Sequence, residues 1–236
     1  MADARIDLIG CGGLGGEVGH GLVRKGIGQL TLYDHDHVDV TNLARQHFSA
    51  EDVGKAKALA LAKNLADQAT GRSLIRGHAY AFQEAAAKGI NLDGQIAVVG
   101  VDNNRSRIDA SHYYLQRGVP VLFLAVNDRA SAGYVFLQTS QPGDPCFQCL
   151  FPDAGEDRRT YGCAGASIEI LKIVAGITLY AIDSLLMARP RPWNYKAVYL
   201  DQSGDGQQMI AQRTVCPLCG GTSAHLPSSG SETQGA

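Results

Sequence analysis

Short apolar runs alternate with longer amphipathic segments over the first half of the chain. This pattern predicts helices at 14–26, 52–69 and 104–117, and strands at 5–10 (RIDLIG), 29–34 (QLTLYD), 74–80, 96–101 (IAVVGV) and 119–126 (VPVLFLAV). Strands that alternate with helices are typical of a doubly wound α/β sheet whose strands are mainly parallel. We therefore predict such a sheet for the first half.

The pattern changes in the second half of the chain. Strands are predicted at 133–139, 195–201 and 207–212 without short helices between them, and QSGDG is a hairpin signal between the last two. These strands are expected to extend the sheet in antiparallel fashion. The apolar segment 164–188 is predicted to be a buried helix rather than a membrane span, because Glu169, Lys172 and Asp183 interrupt it. The Ser/Gly-rich end, 226–236, is predicted to be disordered.

Composition and charge narrow the class of protein. The chain has 236 residues, of which 45% are hydrophobic and 19% charged, and its formal net charge is −2. These values are typical of a globular protein, and the absence of a basic field argues against a nucleic-acid or membrane partner. The first residues do not follow the pattern of a secretory signal, so a cytoplasmic location is expected.

A glycine-rich turn follows the first predicted strand. Its spacing is Gly10-x-Gly12-x-x-Gly15, which allows a tight turn and places free backbone N–H groups at a helix N-terminus, where they bind anions. Asp34 ends the second predicted strand, 19 residues after Gly15 (34 − 15), and is suited to a ribose hydroxyl. These features fit NAD(P) and ATP equally well.

The residues after Asp34 favour a triphosphate. Arg45 offers a planar guanidinium to phosphate oxygens, and Asn42 offers an amide donor. Lys55 and Lys57 add cations at a predicted helix start. Three other interpretations remain open: a plain polar loop, a metal site that uses His35 and His37, and an exposed Lys55 without a ligand.

Asp102 follows the strand IAVVGV at the edge of the sheet where such folds bind ligands. A carboxylate at this place can hold Mg²⁺ between phosphates. The alternative is that Asp102 only caps the helix that follows it.

Six cysteines fall into two classes. Cys146-x-x-Cys149 and Cys216-x-x-Cys219 form two pairs separated by 66 residues (150–215), a pattern that indicates a structural zinc site, with redox pairs or disulfides as alternatives. Cys11 is expected to be a small buried residue. Cys163 begins the long apolar helix, where the helix N-terminus favours a thiolate.

Taken together, GCGGLGG, LYDHDHVDVTNLARQ, VGKAKA, VDNNRSR, DPCFQCLFP, CAGAS and CPLCG resemble the ThiF/MoeB/HesA adenylyltransferases, relatives of the ubiquitin-activating enzymes. The resemblance runs from about residue 5 to 221. It implies a Rossmann-like adenylation domain over 1–225, with a nucleotide-binding half at about 1–128 and a carrier-protein-binding and zinc half at about 129–225. It also implies ATP rather than NAD(P), and a homodimer.

The resemblance implies a reaction and a set of residue roles. The substrate would be the C-terminal glycine carboxylate of a small ubiquitin-like or sulfur-carrier protein, adenylated by ATP with Mg²⁺. The nucleotide would be bound by Gly10, Gly12, Gly13, Gly15, Asp34 (ribose), Asn42 and Arg45 (phosphates), Lys57 (α-phosphate), and Asp102 with Asn103 (Mg²⁺ and nucleotide). In some family members the position of Cys163 accepts the activated carboxyl group for transfer to a conjugating enzyme.

One departure from the family pattern leaves the function open. Family members usually carry an N-terminal arm whose arginine reaches the ATP site of the neighbouring subunit, and only nine residues precede Gly10 here. Arg158 or Arg159, or a partner protein, would then have to supply that charge. Three hypotheses follow: a ubiquitin-like activating enzyme, a sulfur-carrier adenylyltransferase of thiamine or molybdopterin synthesis, and a non-catalytic nucleotide-binding scaffold.

Overall fold

The computed structural model describes residues 1–90, 92–155, 167–201, 204 and 206–220. In these residues the strands are β1 (Arg5–Ile9), β2 (Gln29–Tyr33), β3 (Leu74–His78), β4 (Ile96–Val99), β5 (Val121–Val126), β6 (Ala132–Gln138), β7 (Tyr195–Tyr199) and β8 (Gly206–Gln208). The helices are α1 (Gly13–Arg24), α2 (Lys57–Ala66), α3 (Phe82–Ala87), α4 (Asn104–Leu115), α5 (Phe147–Leu150) and α6 (Ile168–Leu186). The predicted tail, 226–236, lies outside the described residues.

All eight strands belong to one sheet, in the order β3-β2-β1-β4-β5-β6-β7-β8. The first five strands in this order are parallel, with Leu8 of β1 opposite both Leu32 of β2 and Val98 of β4. The pairs β5–β6, β6–β7 and β7–β8 are antiparallel. The prediction of a mainly parallel sheet extended by antiparallel strands is therefore confirmed.

Each face of the sheet has its own hydrophobic core. Successive strand residues point to opposite faces, so Leu8 packs with α1, α2 and α6, whereas Ile9 packs with α3, α4 and α5. Both residues are at most 2% exposed. Helices cover both faces, as the prediction of a doubly wound fold requires.

The long apolar segment forms α6, which packs against α1. Two of its charged residues pair with α1 or the residue that caps it: Lys172 Nζ lies 3.2 Å from a carboxylate oxygen of Glu17, and Asp183 contacts Lys25. The charges that interrupt the segment therefore anchor it to α1. No helix among the described residues is long and apolar enough to cross a membrane.

Most predicted boundaries shift by one to three residues, whereas the start of one helix and the end of one strand shift further. The helix predicted from residue 52 begins at Lys57, because Gly54 has a φ of +84° and the backbone of residues 37–38 pairs with that of residues 54–56. β8 ends at Gln208 rather than 212, because the side chain of Asn194 hydrogen-bonds both the N–H and the C=O of Ile210, each at 2.7 Å.

Candidate nucleotide site and cysteine cluster

The glycine turn links β1 to α1. Gly10 has a φ of +95°, and a Cβ atom on Gly15 would lie 1.9 Å from the carbonyl oxygen of Gly10, so both positions require glycine. Gly12 is the N-cap residue of α1, and no side chain caps this helix. A Cβ atom on Gly12 would meet nothing nearer than Gln46 Nε2 at 4.0 Å. The turn therefore leaves room for an anion at the start of α1.

A cavity of about 240 Å³ opens beside this turn, at the carboxyl ends of β1, β2 and β4. It is lined by all of the predicted nucleotide ligands except Gly15: Gly10, Gly12, Gly13, Asp34, Asn42, Arg45, Lys57, Asp102 and Asn103. Gly15 lies within α1 and is buried. Segments that are far apart in the chain thus converge where doubly wound folds bind ligands.

The carboxylate of Asp34 is fixed by two backbone amides. Its Oδ2 accepts a hydrogen bond from Cys11 N at 2.7 Å, and its Oδ1 accepts one from Asp36 N at 2.8 Å. Each oxygen keeps a second lone pair, so both can still accept from ribose hydroxyls. Cys11 itself is fully buried, as predicted.

The segment after β2 contributes polar groups that have no hydrogen-bond partner in the described part of the chain. Asn42 Oδ1 accepts from Asp39 N at 3.0 Å, so its Nδ2 donor group is the free end of the amide. Arg45 donates from Nη1 to Thr41 O at 2.9 Å, but its buried Nε has no partner among the described residues, and neither has the buried Oε1 of Gln46. Unpartnered buried polar atoms beside a cavity indicate a polar ligand.

The two candidate lysines, Lys55 and Lys57, differ in exposure and in their position relative to the cavity. The side chain of Lys57 is 11% exposed, lines the cavity, and places Nζ 2.9 Å from Asp36 Oδ2. Lys55 is 53% exposed and pairs with Asp52 instead. Burial raises the pKa of Asp36, but the hydrogen bond and charge of Lys57 outweigh burial and leave it below its ordinary value. Because Asp36 binds Lys57, the geometry does not favour the loop as a metal site, although Asp34, His35 and Asp36 lie close together.

The two residues after β4 have different roles. Asn103 caps α4, because its Oδ1 accepts from Ser106 N at 2.8 Å. Asp102 is therefore not the cap, and its exposed carboxylate lies at the cavity wall. A carboxylate of this kind suits Mg²⁺ bound between phosphates.

The cavity also includes residues that the sequence analysis did not assign. These are chiefly Gln46, Phe82, Gln83 and Ser106. Gln46 belongs to the polar run after Asp34, which was a usable signal. Phe82 and Gln83 begin the short helix α3, which has no periodic pattern that would have predicted it.

A second cavity, of about 450 Å³, lies between α4 and the antiparallel strands. Tyr134, Phe151, Tyr195 and Tyr199 line it, and burial raises the pKa of Tyr134 to about 12. Arg107 borders it from α4: its Nη2 donates to Val101 O at 2.7 Å, and its buried Nε has no partner among the described residues. The first turn of α4 therefore separates the two cavities.

The four cysteines of the two Cys-x-x-Cys pairs lie together. Their Sγ atoms are all within 4.8 Å of one another, with Cys146–Cys216 at 3.5 Å, Cys149–Cys219 at 3.3 Å and Cys146–Cys149 at 3.9 Å. Zn–S bonds of about 2.3 Å in a tetrahedron require S–S distances of about 3.8 Å. Separations of this size are too long for disulfides, which need about 2.05 Å. The donor set and its spacing fit zinc.

Three predicted functional residues cannot be placed. Cys163, Arg158 and Arg159 lie outside the described residues, between α5 and α6.

The model of the ThiF family matches residues 1–225. The chain belongs to this family. A sulfur carrier protein adenylyltransferase from Thermus thermophilus is 29% identical, over 92% of this chain and 82% of its own length. A ubiquitin-like modifier-activating enzyme 5 from Dictyostelium discoideum is 30% identical, over 73% of this chain and 50% of its own. With the first cavity, the family match makes this ThiF-family chain an ATP-dependent adenylyltransferase.

A solved structure, that of E. coli MccB with ATP, has the same fold. It superposes with a TM-score of 0.77 at 20% identity, covering 93% of this chain and 68% of that one.

Proposed function

We propose that this ThiF-family chain adenylates the C-terminal glycine carboxylate of a small ubiquitin-like or sulfur-carrier protein. The observation that carries the proposal is the first cavity, where a glycine turn, a fixed carboxylate, the Lys57 ammonium group and an Arg45 Nε without a partner among the described residues converge. The names of the Thermus and Dictyostelium relatives support a carrier of this class.

The reaction forms a bond between a carboxylate oxygen and the α-phosphorus of ATP. It breaks the bond from that phosphorus to the bridging oxygen, and pyrophosphate leaves. A carboxylate is a weak nucleophile, so the protein contributes chiefly by positioning and by neutralising charge. In this proposal Arg45 and Lys57 face the phosphates, the start of α1 binds them through N–H groups, and Asp34 holds the ribose.

Magnesium would accompany the phosphates. The residues that would hold it are Asp102, directly, and Asn103, which lies beside it and keeps α4 capped. The ion would offset the charge of the leaving pyrophosphate.

The second cavity is the proposed entry for the carrier's C-terminal segment. Its aromatic walls suit an extended chain, and it adjoins the nucleotide site through α4. We assign nucleotide binding to the half at about 1–128 and carrier and zinc binding to the half at about 129–225.

A structural zinc ion is proposed at the four cysteines. Arg213 N donates to Cys149 Sγ at 3.4 Å, an interaction that suits a thiolate ligand. Zinc would join α5 to the segment after β8, and would contribute folding free energy rather than chemistry.

A homodimer is proposed through α6. Ile173, Tyr180 and Met187 recur every seventh residue and form one stripe, and they are 39%, 53% and 60% exposed. Gly176 lies on the same helix, and apart from the backbone of that helix no atom of the described residues lies within 4 Å of the position of a Cβ, so a second chain could approach closely there. A twofold partner is the most common way to cover such a surface.

Two fates of the adenylate are possible, and Cys163 distinguishes them. In the ubiquitin-like pathway the Cys163 thiolate attacks the carbonyl carbon of the adenylate, which forms a thioester, breaks the bond to the phosphate oxygen and releases AMP, whereas a sulfur-carrier enzyme need not use this thiol. Cys163→Ala should then abolish a thiol-sensitive adduct formed with ATP and the carrier, while it leaves pyrophosphate exchange intact. An adduct that persists in this variant would place Cys163 outside the reaction and favour the sulfur-carrier pathway.

The proposed function is tested by ATP–pyrophosphate exchange with small proteins that end in glycine. Lys57→Met should lower exchange at least about 100-fold, since it removes a cation from the transition state. Lys55→Met is the matched control, because Lys55 pairs with Asp52 outside the cavity, and it should retain near-normal exchange. Equal losses in the two variants, or no exchange by the unmodified protein with any carrier, would contradict the proposal.

A further inference from the structure

The order of the strands suggests where each part of the nucleotide lies, given the proposed ATP site on which this inference rests. The glycine turn follows β1, Asp34 follows β2, and Phe82 and Gln83 follow β3. Because the sheet order is β3-β2-β1, these features lie in sequence along one edge. A nucleotide with phosphates at the turn and ribose at Asp34 therefore directs its base toward Phe82 and Gln83.

The wall at this end of the cavity is neutral and rigid. Phe82 is 4% exposed and packs edge-on against Tyr113, with ring centroids 5.2 Å apart, and also stacks with Tyr114. The cationic side chains that line the cavity, Arg45 and Lys57, come from the segment after β2 instead. An uncharged heterocycle suits this wall better than a phosphate does.

The side-chain amide of Gln83 has a defined orientation. Its Nε2 donates to Asp109 Oδ2 at 2.8 Å and to Ser106 Oγ at 3.1 Å. Arg105 Nε donates to the same Asp109 oxygen at 3.1 Å, so that oxygen acts as an acceptor. Only the NH₂ end of the amide can face it, and both N–H groups of Gln83 are thereby used. The amide oxygen, Oε1, forms no hydrogen bond among the described residues, and Gln83 lines the cavity, so Oε1 is the acceptor that this side chain can offer to a ligand.

We propose that Gln83 determines the base specificity of the enzyme, by accepting a hydrogen bond from the exocyclic 6-amino group of adenine. Guanine carries an oxygen at that position, which would oppose the amide oxygen with a second acceptor. Asp109 and Ser106 are positioning residues, because they hold the amide in the orientation that presents Oε1.

The test compares two ligands that differ in one group. Dissociation constants are measured by calorimetry, on the full chain with Mg²⁺, for ATP and for purine riboside 5′-triphosphate, which lacks the 6-amino group. The unmodified protein should bind ATP about fivefold more tightly, as expected for one net hydrogen bond. Gln83→Ala should weaken ATP binding about fivefold and leave the analogue unchanged, so that the preference disappears.

Two further variants separate specificity from folding. Asp109→Asn permits the Gln83 amide to flip and should reduce the preference while binding of the analogue stays the same. Gln116→Ala removes an exposed glutamine at the far end of α4 and should keep the preference. A Gln83→Ala protein that retains the fivefold preference would overturn the assignment while leaving the adenylation proposal standing. Failure of the unmodified protein to bind ATP would overturn both.

Discussion

The parallel strands β1–β4 end at one edge of the sheet, where the proposed nucleotide-site residues lie just after a strand end or in the longer segment that follows β2. The antiparallel half is organised differently, because its four cysteines come from two segments 70 residues apart (146 and 216) and meet beyond the strands. The order of the strands alone brings the residues of the first site together. The cysteine cluster forms only when two segments that are distant in the sequence come into contact. The two halves should therefore respond differently to perturbation.

The largest effect is expected at the cysteine cluster. Cys146→Ser should reduce zinc from about one ion per chain to near zero and lower the melting temperature by about 10 °C or more. The reason is that a structural zinc site supplies several kcal/mol, and each kcal/mol shifts a chain of this size by about 2–4 °C. Metal analysis measures the zinc content, and thermal unfolding measures the melting temperature. Cys11→Ala is the control and should keep its zinc; equal zinc in both variants would remove the cluster as a metal site.

A substitution at the first cavity should lower activity without lowering the stability of the protein. Asp102→Ala is expected to reduce Mg²⁺-dependent pyrophosphate exchange by at least about 100-fold, because it removes the proposed ligand of the ion. Its melting temperature should stay within about 2 °C of the unmodified protein, since Asp102 is exposed and does not cap α4. Asp128→Ala, at an exposed turn after β5, serves as the control. Near-normal exchange by a folded Asp102→Ala protein would refute the metal role.

A smaller, pH-dependent effect is expected at the middle of β1. Asp7 is fully buried, and burial raises its pKa from 3.8 to about 6, although hydrogen bonds from Tyr114 Oη at 2.9 Å and Gly94 N at 3.1 Å lower it. A raised folded-state pKa gives stability that is complete below about pH 4 and is lost as the pH rises to about 6. The loss amounts to about 3 kcal/mol at 1.36 kcal/mol per pKa unit.

The variant Asp7→Asn isolates this contribution. Its free energy of unfolding, relative to the unmodified protein, should rise by about 3 kcal/mol between pH 3 and pH 7, as measured by denaturant titration. A difference that does not change with pH would show that Asp7 titrates normally.

The smallest effect on folding is expected at α6. Tyr180→Asp places a charge on the exposed apolar stripe and should convert the proposed dimer to a monomer. The unfolding free energy should change by less than about 0.5 kcal/mol, since the residue is on the surface of the chain. Mass measurement by light scattering checks this. A monomeric unmodified protein would remove the dimer proposal.

Local sequence rules predicted the parallel half because each rule acts over a few residues. The spacing of Gly10 to Gly15 predicted the turn, and the position of Asp34 directly after β2 made it the candidate ribose carboxylate, which stays a prediction. The same rules placed Lys57 on a helix that begins five residues later than predicted, because Gly54 and a backbone pairing interrupt the segment.

Other features could not be read from local patterns. Gln83 lies on a helix of six residues, and its role depends on contacts with Ser106 and Asp109 on another helix. The second cavity depends on how α4 faces β6 and β7, which no periodicity encodes. Similarly, β8 is cut short by the side chain of Asn194, a contact that only the folded chain creates.

The N-cap and first turn of α4 form part of the lining of both cavities. Asn103 and Ser106 face the nucleotide side, whereas Asn104 and Arg107 face the aromatic side. If the second cavity accepts the carrier as proposed, a change in this turn that accommodates a new carrier would also disturb the proposed ATP site. Tyr195 and Tyr199 lie on the opposite wall of the second cavity and do not line the first, so substitutions there would leave the first cavity unchanged. Among related proteins that bind different carriers, substitutions should therefore be more frequent on β7 than in the first turn of α4.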